Sequence, residues 1–259
     1  MITHANINRV GGRLGNQFFK VAAMCHISNK YGYEIGFVGD NKPELLLNDW
    51  NINYPITYIN HAPHNYYYNW DDSLRYDPTF DIIPDNTLLN GYFQSSKYFY
   101  SINPKKVFIP KEYNKITDML CNTLDKMSGR TIVTVHIRKN DYKQCSYFDV
   151  ITPNYYHTIF EECHSDNNIY FIFTDDQEWV MSNLKIPGEV VFSNMKDVYD
   201  FYLFGIGGIQ IIANSSFSWW ASKMSTIIPK KIYAPSVWAQ GKNTIEYDIY
   251  EDNWSLKPI

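Results

Sequence analysis

Charge is scarce in this chain of 259 residues: Asp, Glu, Lys and Arg together make up 19% of it, and the formal net charge is −4. No run of basic residues occurs, so a nucleic-acid backbone meets no electrostatic footprint. Cysteine is equally sparse. Cys25, Cys121, Cys145 and Cys163 form no C-x-x-C pair, and a chain of this length does not need disulfides, so reduced and mostly buried thiols are expected. The longest apolar stretch, Phe201 to Ala213, is broken by Gln210 and three glycines and falls short of the roughly 20 residues of a spanning helix. It reads as buried core. The opening MITHANINRVGG has neither a basic region nor an apolar one, so no signal peptide or anchor is expected and the chain is placed in the cytoplasm.

Several motifs are missing too. There is no G-x-x-x-x-G-K-[ST] and no G-x-G-x-x-G after a strand, which removes the P-loop and the usual dinucleotide fingerprint. No Asp-x-Asp occurs, so the manganese-chelating element of many sugar-nucleotide transferases is absent. His61 and His64 have H-x-x-H spacing but no nearby Cys or carboxylate ligands, and no metal site is assigned.

What is abundant is aromatic: Phe, Trp and Tyr make up 17% of the chain, with 22 tyrosines. The second half is legible as short β-branched runs alternating with helical patterns. Strands are predicted at Thr131–Ile137, Ile169–Phe173, Val190–Phe192, Ile209–Ala213 and Ile232–Ala234, the last ending the series. Between them, Thr152 and Pro153 open a helix. Asp175 with Glu178 reads as a capping box leading into a helix through Leu184. Asp197 opens another helix, and Phe217–Met224 forms the last. Single helices between strands require right-handed crossovers, hence a parallel, doubly wound sheet. The first forty residues suggest a similar unit: a weak strand ending at Val10, a Gly-rich turn, a helix with Phe18, Val21, Ala22 and Cys25 on one face, and a strand from Glu34 to Val38. Residues 41–90 read as loop-rich, with a Tyr66, Tyr67, Tyr68 and Trp70 cluster. After a helix at Asn114–Met127, the polar Ser128-Gly129 marks the boundary between domains 1–129 and 130–259.

Chemistry-bearing residues concentrate where the predicted parallel strands end. His136 and Arg138 share one face of their strand, Thr174-Asp175-Asp176 follows the next, and Asn214-Ser215-Ser216 follows the fourth. In open parallel sheets, ligands bind outside the carboxyl ends of strands. Ser215 and Ser216 precede a helix whose free N–H groups attract an anion, and Arg138 supplies a planar fork for phosphate. The Asp175-Asp176 pair can accept hydrogen bonds from guanine or from ribose hydroxyls. Together these describe a nucleotide diphosphate pocket. Taken singly, each has a blander reading: a helix cap for Ser215, a capping box for Asp175, a surface ion pair for Arg138, a core histidine for His136. Their coincidence on one rim favours the pocket.

At these residues the sequence resembles the α-1,2-fucosyltransferases of glycosyltransferase family 11. GRLGNQFFKVAA, Gly12 to Ala23, looks like the family's N-terminal motif, and GYFQSSKYF, Gly91 to Phe99, like its central one. HIRKNDY, His136 to Tyr142, is similar to H-x-R-R-G-D-Y. FTDD, DVYDFYL and ANSSFSWWA follow in order. Two positions depart from the pattern, with Lys139 in place of the second Arg and Asn140 in place of Gly. Lysine keeps the charge and loses the bidentate fork, while Asn140 can adopt the left-handed conformation that a glycine serves.

The resemblance implies an α/β fold of GT-B type: two Rossmann-like domains with parallel sheets facing across a cleft, the C-terminal one binding GDP-fucose and the N-terminal one forming the acceptor side. It implies an inverting, metal-independent transfer of L-fucose from GDP-fucose to the 2-hydroxyl of a galactoside in a glycan. No cofactor beyond the donor is then needed. By this analogy His136 and Asp175 hold the nucleotide, Phe217 lies near the base or phosphate, and Asn16 and Gln17 complete the cleft, with Gly15 shaping the turn. Asp141 either takes the acceptor's proton or locks Arg138. Transfer of another GDP-activated sugar is the nearest alternative, and a non-catalytic carbohydrate-binding module a remoter one. A glycan acceptor carried on a membrane would make the enzyme peripheral to it.

Overall fold

The computed structural model describes residues 1–8, 13–70, 74–241 and 247–259. Val10 and Gly12, on which part of the N-terminal reading rests, lie outside the described residues. The chain forms two compact units, Met1–Lys111 with Glu246–Glu251, and Glu112–Ile245 with Asp252–Ile259. The division falls between Lys111 and Glu112, whereas the sequence reading placed it after Gly129.

In the first unit, β1 (Thr3–His4) leads to the long helix α1 (Leu14–Tyr31) and back to β2 (Ile35–Val38). Phe18, Val21, Ala22 and Cys25 are all fully buried, as the 3.6-residue period predicts. Gly32 ends α1 in the left-handed conformation, with φ 73°, and its N–H donates to Ser28 O. Next come α2 (Glu44–Asp49), β3 (Trp50–Ile52), β4 (Ile56–Ile59), β5 (Tyr66–Asn69), β6 (Thr87–Asn90), α3 (Pro104–Val107) and β7 (Phe108–Pro110). The pairs β2–β4, β1–β6 and β6–β5 are parallel. An Ile2–Ile35 bridge and the bonds Ile2 N to Glu34 O (2.6 Å) and Gly36 N to Ile2 O (2.9 Å) join them into the order β4-β2-β1-β6-β5. A Cβ at Gly36 would meet Met1 Sδ at 2.5 Å and Ile59 Cδ1 at 2.8 Å, so a larger residue at this junction would have to push those side-chain ends aside. Strands β3 and β7 pair antiparallel and close over α1, with Phe18 edge-on to Trp50 and Phe108 at 5.3 and 4.7 Å.

Tyr58 and Tyr66–Tyr68 therefore lie on two short strands rather than in loops. Tyr58 sits on edge strand β4 and Tyr66–Tyr68 on edge strand β5, four strand spacings apart, about 19 Å at ~4.8 Å each. Tyr66 and Tyr67 are exposed. Tyr68 turns inward against Phe80 and Phe93 and hydrogen-bonds Asp77, and Trp70 Nε1 donates to Arg75 O.

The second unit begins with α4 (Tyr113–Lys126). Its Ile116 and Leu120 are buried, and Glu112 at its cap accepts from Tyr199 Oη at 2.8 Å, which ties α4 to the second unit and moves the boundary forward. Then β8 (Thr131–Ile137), α5 (Pro153–Cys163), β9 (Asn168–Thr174), α6 (Gln177–Asn183), β10 (Glu189–Phe192), α7 (Asp197–Phe204), β11 (Ile209–Ile211), α8 (Ser216–Lys223) and β12 (Lys231–Pro235) alternate as predicted. One strand was missed: β13 (Ser255–Lys257) adds to β12 in parallel, three residues too short to show a period. The sheet is parallel throughout in the order β10-β9-β8-β11-β12-β13. Counted from β8, that is 3-2-1-4-5-6, the Rossmann order. Its core packs Val133, Val135, Ile137, Tyr155, Tyr156, Ile159, Ile172 and Ile211. Much of Phe201–Ala213 is buried. Among the described residues no helix is long and apolar enough to cross a membrane.

Candidate active site

In the order 3-2-1-4-5-6 the chain reverses direction between β8 and β11, so their carboxyl ends flank the crevice of the second unit. Arg138 leaves the end of β8. Its Nε faces Asp141 Oδ1 at 2.8 Å and Asp175 Oδ2 at 3.0 Å, so both carboxylates hold one edge of the guanidinium. Nη2 is buried and has no hydrogen-bond partner. A buried charged donor left unsatisfied is costly. The contact to Asp141 supports its role in locking Arg138.

The two aspartates after β9 divide their work differently from the sequence expectation. Asp175 is not the helix cap: its Oδ1 accepts the backbone N–H groups of Lys139 (2.8 Å) and Asn140 (3.2 Å), so it clasps the turn that carries Arg138. The cap of α6 is Asp176, whose Oδ1 accepts Trp179 N at 2.9 Å, while Thr174 Oγ1 accepts Asp176 N at 3.0 Å. The shift of one residue follows because Asp175's carboxylate is engaged by Arg138 and by two amides of the neighbouring loop, a long-range demand that no local pattern reveals. Lys143 pairs with Asp176, and its hydrogen bond together with the helix N–H lowers that carboxyl's pKa.

Lys139 departs from the family pattern and points away from the rim. It is 6% exposed. Its ammonium bonds Asp149 Oδ1 at 2.6 Å and Ile151 O at 2.7 Å, and lies 4.8 Å from the Trp179 ring centre. This clip joins the two ends of the loop that carries Asn140, Asp141 and Tyr142. Tyr142 Oη in turn reaches Asn214 O at 3.0 Å.

At the end of β11, Asn214 is a brace: its Nδ2 donates to Phe148 O and Trp238 O at 2.9 and 2.8 Å. Ser215 caps α8, accepting Phe217 N at 3.4 Å, and Ser216 opens the helix half-buried. The first-turn N–H groups of α8 thus point at the crevice. His136 is 5% exposed, hydrogen-bonds Ser218 Oγ at 2.9 Å and packs against Phe217 with ring centres 5.4 Å apart. Burial pulls its pKa down to about 4 against the weaker opposing pull of Asp175, so the ring is neutral at pH 7.

One rim residue escaped the sequence reading. Asp200 lies in the first turns of α7, beside Phe201, whose ring meets Phe217 at 5.8 Å. Burial pushes its pKa up to about 6, although Ser193 Oγ and the Met195 N–H both donate to it. The only sequence signal was the second Asp of DVYDFYL, which reads as an ordinary first-turn acid.

The remaining expected residues lie in the first unit. Gly15 is buried within α1's first turn, and Asn16 lies inside the same turn. Asn16 Oδ1 accepts Gln94 Nε2 at 2.7 Å, which joins the GRLGNQ and GYFQSS motifs. Gln17 is fully buried and spans Leu46 N (2.8 Å) and Asn8 Oδ1 (3.1 Å), an internal strut. Among the described residues no three His, Cys, Asp or Glu side chains group as a metal site.

An Escherichia coli α-1,2-colitosyltransferase is 27% identical over 181 residues, covering 63% of this chain and 60% of that protein. The O-antigen biosynthesis glycosyltransferase WbnK, also of Escherichia coli, is 24% identical over 185 residues, covering 68% and 59%. The matched part thus spans about three fifths of these relatives. Among solved structures, NodZ α-1,6-fucosyltransferase soaked with GDP-fucose aligns with a TM-score of 0.54 at 11% identity, over 86% of this chain and 92% of that one. A second structure of NodZ, from Bradyrhizobium, gives 0.55 at 13%, over 85% and 91%. These likenesses are of fold, and the fold is α/β of GT-B type. The family model described as glycosyl transferase family 11 matches residues 6–257, and to that family the chain belongs.

Proposed function

We propose that this protein is an inverting glycosyltransferase that moves L-fucose from GDP-fucose to the 2-hydroxyl of a galactoside. The observation that carries the reading is the buried, unpartnered Nη2 of Arg138 at the β8/β11 switch point. A diphosphate oxygen supplies the missing acceptor, and the first turn of α8 with the Ser215 and Ser216 hydroxyls supplies further donors. Breaking the bond from the anomeric carbon to the β-phosphate oxygen builds negative charge on GDP. Donors held in place by Asp141 and Asp175 stabilise that charge without reorganising, which is where the acceleration arises.

Guanine recognition moves from the Asp175-Asp176 pair to Asp200. The first two carboxylates are engaged by Arg138, by backbone amides and by Lys143. Asp200 is ionised at pH 7 against its own burial, so paired donors such as guanine N1–H and its amino group offset an existing penalty. His136 and Phe217 form the apolar wall beside it. The donors described are all protein groups, and the reading needs no metal.

A second donor reading has an observation of its own: the similarity to a colitosyltransferase, whose sugar is L-fucose without its 3-hydroxyl. Incubation with GDP-fucose, GDP-colitose or GDP-mannose, a β-galactoside and EDTA decides between them by GDP release and product linkage. The expected result is transfer of the first and formation of an α-1,2 linkage. Turnover of GDP-mannose alone, or of none, overturns the reading.

A further inference from the structure

The first unit has a switch point of its own. The chain runs from β1 to β2 and β4 on one side and returns to β6 and β5 on the other, so the carboxyl ends of β1 and β6 flank a crevice. The groups gathered there are mostly neutral amides. Asn6 Nδ2 donates to Asn90 Oδ1 at 2.8 Å, Asn90 Nδ2 to Asn69 Oδ1 at 2.6 Å, and Gln94 to Asn16 as above. His4 is held neutral, with Nδ1 accepting Asn6 N at 3.0 Å and Nε2 donating to Gly91 O at 2.9 Å.

Among the described residues one charge lies beneath them. Lys20 projects from α1 and is 2% exposed. Its ammonium donates a hydrogen bond to Asn6 O at 2.6 Å and sits 4.5 Å from the centre of the Tyr92 ring. No carboxylate among the described residues pairs with it. Burial lowers its pKa to about 8, so it is largely protonated at neutral pH and carries a desolvation penalty that no carboxylate among the described residues offsets. An aromatic ring is a weaker partner for a buried ammonium than an anion is, and Tyr92 is 37% exposed, so it can be displaced from the solvent side.

We propose that this crevice binds an acidic group on the acceptor glycan, a carboxylate or phosphate on the sugar next to the one glycosylated, with Lys20 as its counter-ion and the Tyr92 ring displaced to admit it. The proposal rests on the reading of the protein as a glycosyltransferase whose first unit takes the acceptor. It extends that reading from a neutral galactoside to an anionic one.

Two acceptor pairs that differ only in charge test it and separate the two anions: a galactosyl-glucuronic acid disaccharide against its methyl ester, and a galactosyl disaccharide 6-phosphate against the unphosphorylated sugar. In at least one pair the acidic member is expected to show a KM lower by about tenfold. Lys20→Met removes that preference and leaves the KM for GDP-fucose unchanged, and its melting temperature does not fall, because an unpaired buried charge is gone. A purely structural strut would instead lower the melting temperature and affect both members alike. Equal KM values in the wild type for both pairs, or a preference that survives in Lys20→Met and Lys20→Gln, overturns the proposal. Calorimetry of the same pairs with the wild-type protein needs no turnover. If no galactoside is glycosylated the functional reading fails, while tighter binding of the acidic member still supports the Lys20 site and equal binding still removes it.

Discussion

The two switch-point crevices are built from opposite materials. In the second unit every described cation of the β8 loop has a carboxylate: Arg138 with Asp141 and Asp175, Lys139 with Asp149, Lys143 with Asp176. In the first unit the corresponding rim is, among the described residues, a network of Asn and Gln amides over one lysine without a carboxylate. Paired charges fix one geometry in advance, which suits a reaction in which charge develops at a single place. Amides can donate and accept in turn, which suits sugar hydroxyls of varied orientation. Among the described residues, paired charges thus set the rim of one unit and hydrogen-bonded amides the rim of the other.

The largest effect expected on that contrast comes from Arg138→Ala. Removing this guanidinium, with its unpartnered buried donor, should lower kcat by about 10²- to 10³-fold, the scale seen for a lost charge-stabilising donor, with an unchanged circular dichroism spectrum. Activity within tenfold of the wild type would mean that the diphosphate lies elsewhere. Next is the clip behind it. Lys139→Met leaves Asp149 without its partner; because that carboxylate is a third exposed, the loss should be about 2 kcal/mol of stability rather than the 3–5 of a fully buried pair. The KM for GDP-fucose should rise with it, since the backbone of Lys139 is one of Asp175's donors. Lys139→Arg should restore much of both, and a melting curve alongside the KM shows whether the two losses travel together.

Asp200 gives a smaller effect with opposite signs on function and stability. Its folded pKa of about 6 lies above the ordinary 3.8, so the folded state binds this proton more tightly than the unfolded one. The stabilisation is full below pH 4 and is lost as pH rises through 6. Asp200→Asn removes a carboxylate that is ionised at cost at neutral pH, so its melting temperature at pH 7.5 should rise by a few degrees, with the gain shrinking at pH 5. Donor KM should rise about tenfold, the equivalent of ~1.4 kcal/mol. A melting temperature that falls at pH 7.5, with donor KM unchanged, would place Asp200 in the scaffold and leave the guanine without its acceptor.

Legibility followed the same divide. The second unit was readable because its strands are β-branched runs between capped helices, and because two-residue periodicity put His136 and Arg138 on one face. What local pattern could not supply was pairing across the sheet: that Asp175 reaches back to Lys139 and Asn140, which moves the cap to Asp176, and that Lys139 turns inward to Asp149. Gln17 failed for a similar reason, since its partners Leu46 and Asn8 are distant in sequence or in the preceding loop. In the first unit, strand β5 was hidden because Tyr occupies three successive positions and abolishes the alternation, although Tyr favours strands. Residues 41–90 were read by their turn residues, and the strands between them were too short to answer.

The smallest prediction tests whether the aromatic surplus belongs to the amide crevice. On β5, Tyr67 shares a face with Asn69, whose amide is bonded to Asn90, and it is one strand removed from the switch point. Tyr58 lies on the far edge strand β4, where its ring packs against Phe37 and Lys42. Loss of one stacking ring is worth about 1 kcal/mol, so Tyr67→Ala should raise the acceptor KM three- to fivefold for a disaccharide, while Tyr58→Ala leaves it unchanged. A disaccharide cannot span the roughly 19 Å between the two edges. If both variants raise KM equally, the effect is not stacking at a crevice but a general loosening of the sheet, and a parallel fall in both melting temperatures would show it.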